Sequence, residues 1–248
     1  MIDDPARTTT DGLRAISRLC VLTPLAPSDR ALLGAVLGRH VRQLPARTDI
    51  IDEGDLPRGV RVIHEGWVCR YKQLPDGRRQ ILAFLLPGDI CDCAVFLLDR
   101  MDHALAAMTP VRFSEIPPAE FLHLTREVPD VADALALSEL VTVAIQREWT
   151  LNLGQRTALE RVAHLLCELY ARLDAVGLVR DGGFAFPLTQ TDVASATGLT
   201  PVHVNRTLAS LRRQGLISLQ RRWLLVRDID RLAEVAMFDP AYLHVRSV

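Results

Sequence analysis

Residues 193–227 contain six arginines and no aspartate or glutamate. The arginines are Arg206, Arg212, Arg213, Arg221, Arg222 and Arg227. A guanidinium group binds phosphate through paired hydrogen bonds, and several of them together release the counterions of a polyanion. The whole chain of 248 residues has 29 Lys plus Arg against 30 Asp plus Glu, so the excess is local. The segment therefore predicts a phosphate-binding surface.

The elements that position these arginines begin with two short helical patterns, which Gly198 separates. Thr189, followed three residues later by Asp192, is a capping-box arrangement that marks the start of the first helix. Thr200 is placed to cap the second helix, and Pro201 suits its first turn because the missing amide proton has no partner there. Apolar residues at helical spacing predict a small shared core of Val193, Ala194, Leu199, Val204, Leu208 and Leu211.

Two short apolar runs follow the second helix, at residues 217–219 and 223–226. They predict a two-stranded ribbon that turns at Gln220, Arg221 and Arg222. A helix-turn-helix followed by a ribbon with a basic tip is a winged helix-turn-helix, so double-stranded DNA is the expected partner. The alternative is an arginine-rich helix that is only solvated and binds nothing.

This segment resembles the DNA-binding domain of the Crp/Fnr family of bacterial transcription regulators. The matching residues are Gly198, Thr200, Val204, Asn205, Arg206, Leu208, Leu211 and the Gly-Leu-Ile at 215–217. The resemblance implies that the second helix lies in the major groove and that Arg206 reads guanine, whose two major-groove acceptors fit an arginine fork. Well-known members carry an Arg-Glu pair where this chain has Pro201 and Val202, so its operator is expected to differ from that of the cyclic-AMP receptor protein.

Seven residues make up the predicted DNA interface, which divides into contacts that position the protein and contacts that read bases. The residues expected on phosphates are Thr189, Thr191, Thr200 and Arg221. The residues expected at bases are Val202, His203 and Arg206. Among these, Val202 is suited to a thymine methyl group.

Upstream, residues 41–120 consist of short apolar runs broken by glycine turns, a pattern typical of an antiparallel β domain. It resembles the effector-domain β-roll of the same family through Gly54, Gly66, the DGRRQI at 76–81 and the LLPGD at 85–89. Residues 22–37 predict a helical region before it. The predicted fold class is α+β: an antiparallel β-roll (double-stranded β-helix), a long dimerisation helix and a winged helix-turn-helix.

The long helix is predicted over residues 129–154, which contain no internal Pro or Gly. It carries two apolar stripes, one with Val131, Leu135, Ile145 and Trp149, and the other with Leu137, Leu140, Val141, Ala144 and Leu151. One stripe can pack within the chain and the other on a second copy, which predicts a homodimer and a palindromic operator. The predicted domains are therefore an effector domain at 1–127, a dimerisation helix at 128–154 and a DNA-binding domain at 155–248.

Two further segments complete the second domain. Residues 155–175 predict an amphipathic helix, the first helix of the C-terminal domain. The glycine-rich residues 177–183 predict a loop, and in family members a loop at this place can contact RNA polymerase.

The effector is not defined by the sequence. Family members that bind cyclic nucleotides use Gly-Glu for the ribose and an Arg with Ser or Thr for the phosphate, whereas this chain has Asp92-Cys93 and His103-Ala104. His103 replaces a permanent cation by one that is charged only when protonated, and Arg100 lies nearby. The candidate effector pocket is therefore Asp92, Cys93, Arg100 and His103, for an unidentified small molecule rather than cyclic AMP bound in the usual way, and no cofactor is specified.

Two other functions remain open at this stage. Cys91 and Cys93, with Cys69 or His103, are candidates for a redox- or metal-responsive regulator, although C-x-C alone defines no metal site. A cupin-like β-roll enzyme is the weaker alternative, because no catalytic motif is present. The five cysteines form no disulfide pattern and no apolar run is long enough to span a bilayer, so a cytoplasmic protein without membrane contact is expected.

Overall fold

The computed structural model describes residues 12–244, which divide into two compact units. One unit contains residues 12–70 and 84–142, and the other contains residues 71–83 and 143–244. The division falls inside the long helix, between Thr142 and Val143. In residues 12–244 no helix is both long and apolar enough to cross a membrane. The predicted α+β class is confirmed, with antiparallel sheets first and the helix-turn-helix last.

The first unit begins with two helices, α1 (Leu13–Leu22) and α2 (Pro27–Leu37). The predicted helical region of residues 22–37 therefore covers only α2, and α1 is an additional helix that precedes it. The chain is extended at Thr23, and Pro27 starts α2 because a proline fits the first turn of a helix but lacks the amide needed to continue one.

Eight strands follow in two four-stranded sheets, as the glycine-punctuated pattern predicts. In chain order they are β1 (Val41–Leu44), β2 (Asp49–Ile51), β3 (Val60–Glu65), β4 (Val68–Gln73), β5 (Arg79–Leu85), β6 (Ile90–Cys91), β7 (Ala104–Ala107) and β8 (Val111–Ile116). One sheet has the order β1-β8-β3-β6 and the other β2-β7-β4-β5. The pairs β1–β8, β3–β8, β3–β6 and β2–β7 are antiparallel.

Two apolar clusters hold the first unit together. The first cluster joins the two sheets and includes Ile63 of β3, Val68 of β4 and Phe113 of β8. The second cluster joins one sheet to the helices and includes Val62 of β3, Leu19 of α1 and Val131 of the long helix. Burial of apolar surface contributes about 25 cal/mol per Å², so these two clusters supply most of the stabilisation of the first unit.

Gly66 explains why the turns of this unit need glycine. Its φ is 85°, and a Cβ atom there would lie 2.3 Å from the carbonyl oxygen of Pro110. An L side chain is excluded on both counts, because the left-handed region is unfavourable and the space is already filled. The predicted turn at Glu65-Gly66 is thus confirmed with its physical cause.

The long helix α4 (Pro129–Gln155) follows the short helix α3 (Pro118–Glu127). The stripe of Val131, Leu135, Ile145 and Trp149 is buried, as expected. The second stripe is mostly exposed, at Leu137, Leu140 and Leu151, whereas Val141 is buried with the first. The helix therefore presents one apolar face that the described chain does not fill.

The second unit begins with α5 (Ala158–Asp174), which is separate from α4 rather than its continuation. Thr157 accepts a hydrogen bond from the Glu160 amide, and Glu160 accepts one from the Thr157 amide. This capping box starts the helix at Ala158, three residues after the predicted start at residue 155, and the predicted first helix of the second domain is present.

The remaining elements of the second unit are β9 (Gly183–Ala185), α6 (Gln190–Thr197), α7 (Pro201–Arg213), β10 (Ile217–Gln220), β11 (Trp223–Val226) and α8 (Ile229–Ala236). A 3₁₀ turn at Pro240–Leu243 follows them. The strands form one sheet in the order β10-β11-β9. The predicted ribbon is therefore present, with β9 as a third strand where the sequence predicted the end of a loop.

A buried histidine connects the helices of the first unit to its sheet. The amide of Gly12 donates to Nδ1 of His64 over 3.1 Å, and Nε2 lies 2.7 Å from the Ser114 hydroxyl. Because that hydroxyl itself donates to the Leu37 carbonyl, Nε2 must carry the proton and His64 is neutral. Burial, together with the nearby Arg112 charge, lowers the pKa of His64 to about 4.

This pKa predicts an acid-sensitive fold. The unfolded chain protonates His64 below pH 6.5, but the folded chain does so only near pH 4, so stability falls as the pH drops between these values. The lowering corresponds to about 3 kcal/mol. Between pH 7 and pH 4 the free energy of unfolding should drop less in His64→Gln than in wild type, and the difference between the two drops should be about 3 kcal/mol. Urea unfolding at the two pH values measures it. The matched control is the exposed His123→Gln, whose pH dependence should equal that of wild type.

Candidate nucleic-acid interface

The helix-turn-helix is formed by α6 and α7. Gly198 ends α6 in the left-handed conformation with φ 64°, and the Leu199 amide donates to the Ala194 carbonyl over 3.1 Å. This bond satisfies a carbonyl that the helix end would leave unpaired. The predicted core residues are buried except for Leu199, which is half-buried. The predicted turn and the two helices are thus confirmed.

The first helix is capped as predicted, but the capping hydrogen bonds already use both the amide and the hydroxyl of Thr189. The Asp192 amide donates to the Thr189 hydroxyl over 3.1 Å, and the Thr189 amide donates to the Asp192 carboxylate over 2.8 Å. The same hydroxyl donates to that carboxylate, also over 2.8 Å. A phosphate contact by Thr189 would therefore have to compete with Asp192. Thr191, in the first turn of α6, is exposed.

The second helix presents a continuous exposed face. Thr200 caps it by accepting from the His203 amide over 3.2 Å, which leaves its hydroxyl proton available as a donor. Val202, His203 and Arg206 are exposed, and Val202 has an exposed fraction of 63%. These residues border a groove of about 370 Å³ between α7 and the first turn of α5. The helix therefore offers an apolar group, an imidazole and a guanidinium side by side.

The wing ends in a strained basic turn. Strands β10 and β11 pair from Gln220 and Trp223, which leaves Arg221 and Arg222 as a two-residue turn. Both have left-handed backbones, with φ 48° and φ 62°, and both side chains are exposed. Such turns favour Asn-Gly, so two arginines here cost on the order of 1 kcal/mol each. The charge at the tip is kept at the expense of local stability.

In the first unit, two of the four candidate pocket residues come together. The Asp92 carboxylate accepts from Nη2 of Arg70 and lies 3.1 Å from Nε2 of His103. Nδ1 of His103 lies 2.7 Å from the Asp102 carboxylate. Arg100 is exposed and donates to the Gly54 carbonyl over 2.8 Å, so it lies outside this cluster. Arg70, which the sequence did not single out, takes the place expected for Arg100.

The cluster satisfies its charges internally. Burial by itself would raise the pKa of Asp92, but the bond from His103 and the charge of Arg70 outweigh it, and the pKa is lowered. His103 therefore faces two carboxylates, whose negative charges repel an incoming anion.

The two neighbouring cysteines lie in different parts of the core. Cys91 packs in the cluster between the sheets, whereas Cys93 packs in the cluster under the helices. Asp92 between them has φ 53°, and the strand ends at Cys91, so the two cysteines do not lie on one strand face. Burial raises the pKa of both thiols, with a further contribution from Asp92 at Cys91 and from Glu139 at Cys93.

Metal binding and thiol redox chemistry gain no support from this arrangement. Reactive thiols have lowered pKa values in electropositive, accessible places, which is the reverse of what Cys91 and Cys93 have. Across residues 12–244, no group of three or more His, Cys, Asp or Glu side chains is arranged to hold a metal ion.

The fold and this face define a DNA-binding regulator with a cyclic-nucleotide-binding-like domain, and the comparisons agree. A model described as cyclic nucleotide-binding domain matches residues 41–128, and one described as Crp-like helix-turn-helix domain matches residues 160–235. The transcriptional activator FnrL of Cereibacter sphaeroides is 31% identical over 206 residues, covering 81% of this chain and 82% of the relative.

Two further proteins give the same result. The transcriptional activatory protein AadR of Rhodopseudomonas palustris is 30% identical over 242 residues, covering 94% of this chain and 95% of the relative. The solved structure of FixK2 from Bradyrhizobium japonicum is 29% identical with a TM-score of 0.69, covering 79% of this chain and 96% of that chain. The chain belongs to the Crp/Fnr family of transcription regulators, and it is not an enzyme.

The Asp92 cluster yields a stability prediction. Asp92→Asn keeps a residue that tolerates the left-handed backbone but leaves Arg70 buried without its carboxylate. We expect the free energy of unfolding to fall by about 3 kcal/mol, measured by chemical denaturation. Asp102 supplies the other carboxylate that contacts His103, and its side chain is 73% exposed. Asp102→Asn should therefore change the free energy of unfolding by less than about 1 kcal/mol. Equal losses in the two variants would contradict the assignment.

Proposed function

We propose that this protein is a sequence-specific transcription regulator that binds a palindromic operator as a homodimer. The observation that carries the proposal is the exposed face of α7, where Val202, His203 and Arg206 lie together beside a wing with a basic tip. A helix enters the major groove with such a face, and the flanking charges bind the phosphates. Family membership supports this use of the face.

Each interface residue has a proposed role. Arg206 reads guanine through its two donors, Val202 contacts a thymine methyl group, and His203 contacts a base or an adjacent phosphate. Thr191, Thr200 and Arg221 bind phosphates. Thr189 joins them only if Asp192 releases its hydroxyl, because the cap otherwise uses both of its donors. The base readers therefore all come from the start of α7.

The exposed stripe of α4 is the proposed dimer interface. Leu137, Leu140, Val143 and Leu151 are between 40% and 60% exposed, which is unusual for four apolar residues on one helix. A second copy of the same helix would bury them. Residues 128–154 then act as the dimerisation helix between an effector domain at 1–127 and a DNA-binding domain at 155–248. The two recognition helices would lie about 34 Å apart.

The effector domain is proposed to work without cyclic AMP bound in the usual way. A cyclic phosphodiester needs an unpaired cation, but Arg70 is paired with Asp92 and His103 faces two carboxylates. Any small-molecule effector would therefore have different chemistry. RNA polymerase is a proposed partner through the loop before β9. Because the partners are DNA and the transcription machinery, we propose a cytoplasmic location.

The base-reading role predicts a specific loss. Arg206→Ala should weaken binding to the selected operator by about 1 to 3 kcal/mol and remove the preference for guanine at one position of each half-site. Arg221→Ala should weaken binding to all sequences alike and reduce the slope of log K against log salt by about one per subunit. Both are measured by fluorescence anisotropy on duplexes selected from a random pool. The proposal fails if Arg206→Ala, correctly folded, keeps the guanine preference.

If the exposed stripe of α4 is the dimer interface, a charged residue placed in it should weaken the dimer. Leu140 is 60% exposed in the single chain, so Leu140→Asp should leave the fold intact. In a dimer the aspartate would be buried without a partner, at a cost of roughly 3 kcal/mol, which raises the dissociation constant about a hundredfold. Sedimentation equilibrium measures the change. Leu32→Asp, at a 43% exposed position on α2, is the control and should remain dimeric.

A further inference from the structure

A fully buried carboxylate joins three elements of the second unit. Glu168 of α5 has an exposed fraction of 0%. Its Oε2 atom accepts from Nε1 of Trp149 in α4 and from the hydroxyl of Tyr242 in the C-terminal 3₁₀ turn, each over 3.0 Å. Its Oε1 atom accepts from Nη1 of Arg172 over 3.1 Å. We call these four residues the Glu168 hub.

A second set of polar contacts joins the same elements. Arg156, just after α4, donates to the Asn152 amide oxygen over 2.9 Å, to the Glu148 carboxylate over 3.1 Å and to the Met237 carbonyl over 3.1 Å. The Asn152 amide nitrogen lies 3.0 Å from Nδ1 of His164. Because Arg156 fixes the amide oxygen, the nitrogen donates and His164 is the acceptor. The end of α4 is therefore bound to α5 and to the segment after α8.

These contacts do more than exclude water. Replacing a buried ionic cluster by well-packed apolar groups is often neutral or stabilising, so stability alone does not account for it. Hydrogen bonds are directional, however, and three donors of fixed geometry on one carboxylate define an orientation that apolar packing would leave variable. The ring of Tyr242 also stacks on His164, with centroids 6.1 Å apart and planes 13° apart. The position of the C-terminal turn is thus fixed in both distance and angle.

We propose that Trp149, Glu168 and Tyr242 are positioning residues that fix the angle between the last turns of α4 and α5, the helix against which the recognition helix α7 packs. In a dimer built on α4, this angle sets the separation of the two recognition helices and hence the half-site spacing that the protein accepts. Tyr242 acts on DNA recognition without touching DNA. The inference rests on the proposed homodimeric regulator, because a monomer has no spacing to select.

The test uses the full-length protein and a series of palindromic duplexes whose half-site spacing differs by single base pairs. Each added pair moves one half-site by about 3.4 Å and turns it by about 35°. Tyr242→Phe removes the hydroxyl and keeps the ring. We expect its selectivity for the best spacing over the neighbouring ones to fall about tenfold, equivalent to about 1.4 kcal/mol, with affinity for a single half-site unchanged within about twofold. Tyr170→Phe, which removes a phenol of α5 outside the hub, should match wild type.

The outcomes separate this inference from the proposed function. Retention of wild-type spacing selectivity by folded Tyr242→Phe overturns the inference. An equal loss of affinity at every spacing and at the single half-site also overturns it, because that result indicates a merely structural role. If Tyr242→Phe gives no cooperative thermal transition, Trp149→Phe is judged by the same two criteria. Failure of the wild-type protein to bind any palindrome would instead refute the proposed function.

Discussion

Taking a carboxylate out of water costs several kcal/mol unless fixed donors replace the lost water, and each unit of this protein contains such a carboxylate. In the first unit Asp92 is held by Arg70 and His103. In the second unit Glu168 is held by Arg172, Trp149 and Tyr242. Arg70 and His103 lie in other segments than Asp92, and Trp149 and Tyr242 lie in other elements than Glu168, so each carboxylate ties its own segment to two others. The apolar clusters supply most of the stability, and the hydrogen bonds to the carboxylates fix the orientation of the segments that they join.

Two groups of arginines in the chain differ in what surrounds them. Inside, Arg61, Arg70 and Arg172 pair with carboxylates and serve the fold. Outside, residues 193–227 carry arginines without any acidic residue in the same segment, so their charge remains available to a polyanion. The near-zero net charge conceals this division. In this chain the function depends on where the charges lie rather than on their sum.

The features that the sequence predicts best are helix caps and turns, because each depends on residues close together in the chain. The caps at Thr189 and Thr200 and the turn at Gly198 depend on residues only a few positions apart, and all three are confirmed. The start of α5 depends on an equally local signal, the capping box of Thr157 and Glu160. By contrast, the Glu168 to Tyr242 bond spans 74 residues, and no periodicity shows which buried acid meets which donor. The place of Arg70 beside Asp92 was unpredictable for the same reason.

The wing tip illustrates how two requirements on one turn oppose each other. A two-residue hairpin turn is most stable with Asn-Gly, yet Arg221 and Arg222 hold left-handed backbones that disfavour them. Replacing them would relieve strain and raise thermal stability, while removing both charges from the tip. A laboratory evolution experiment that selects for heat resistance alone would thus favour variants with a firmer wing and a weaker hold on phosphate. The turn marks a position at which this chain lies below its own stability optimum.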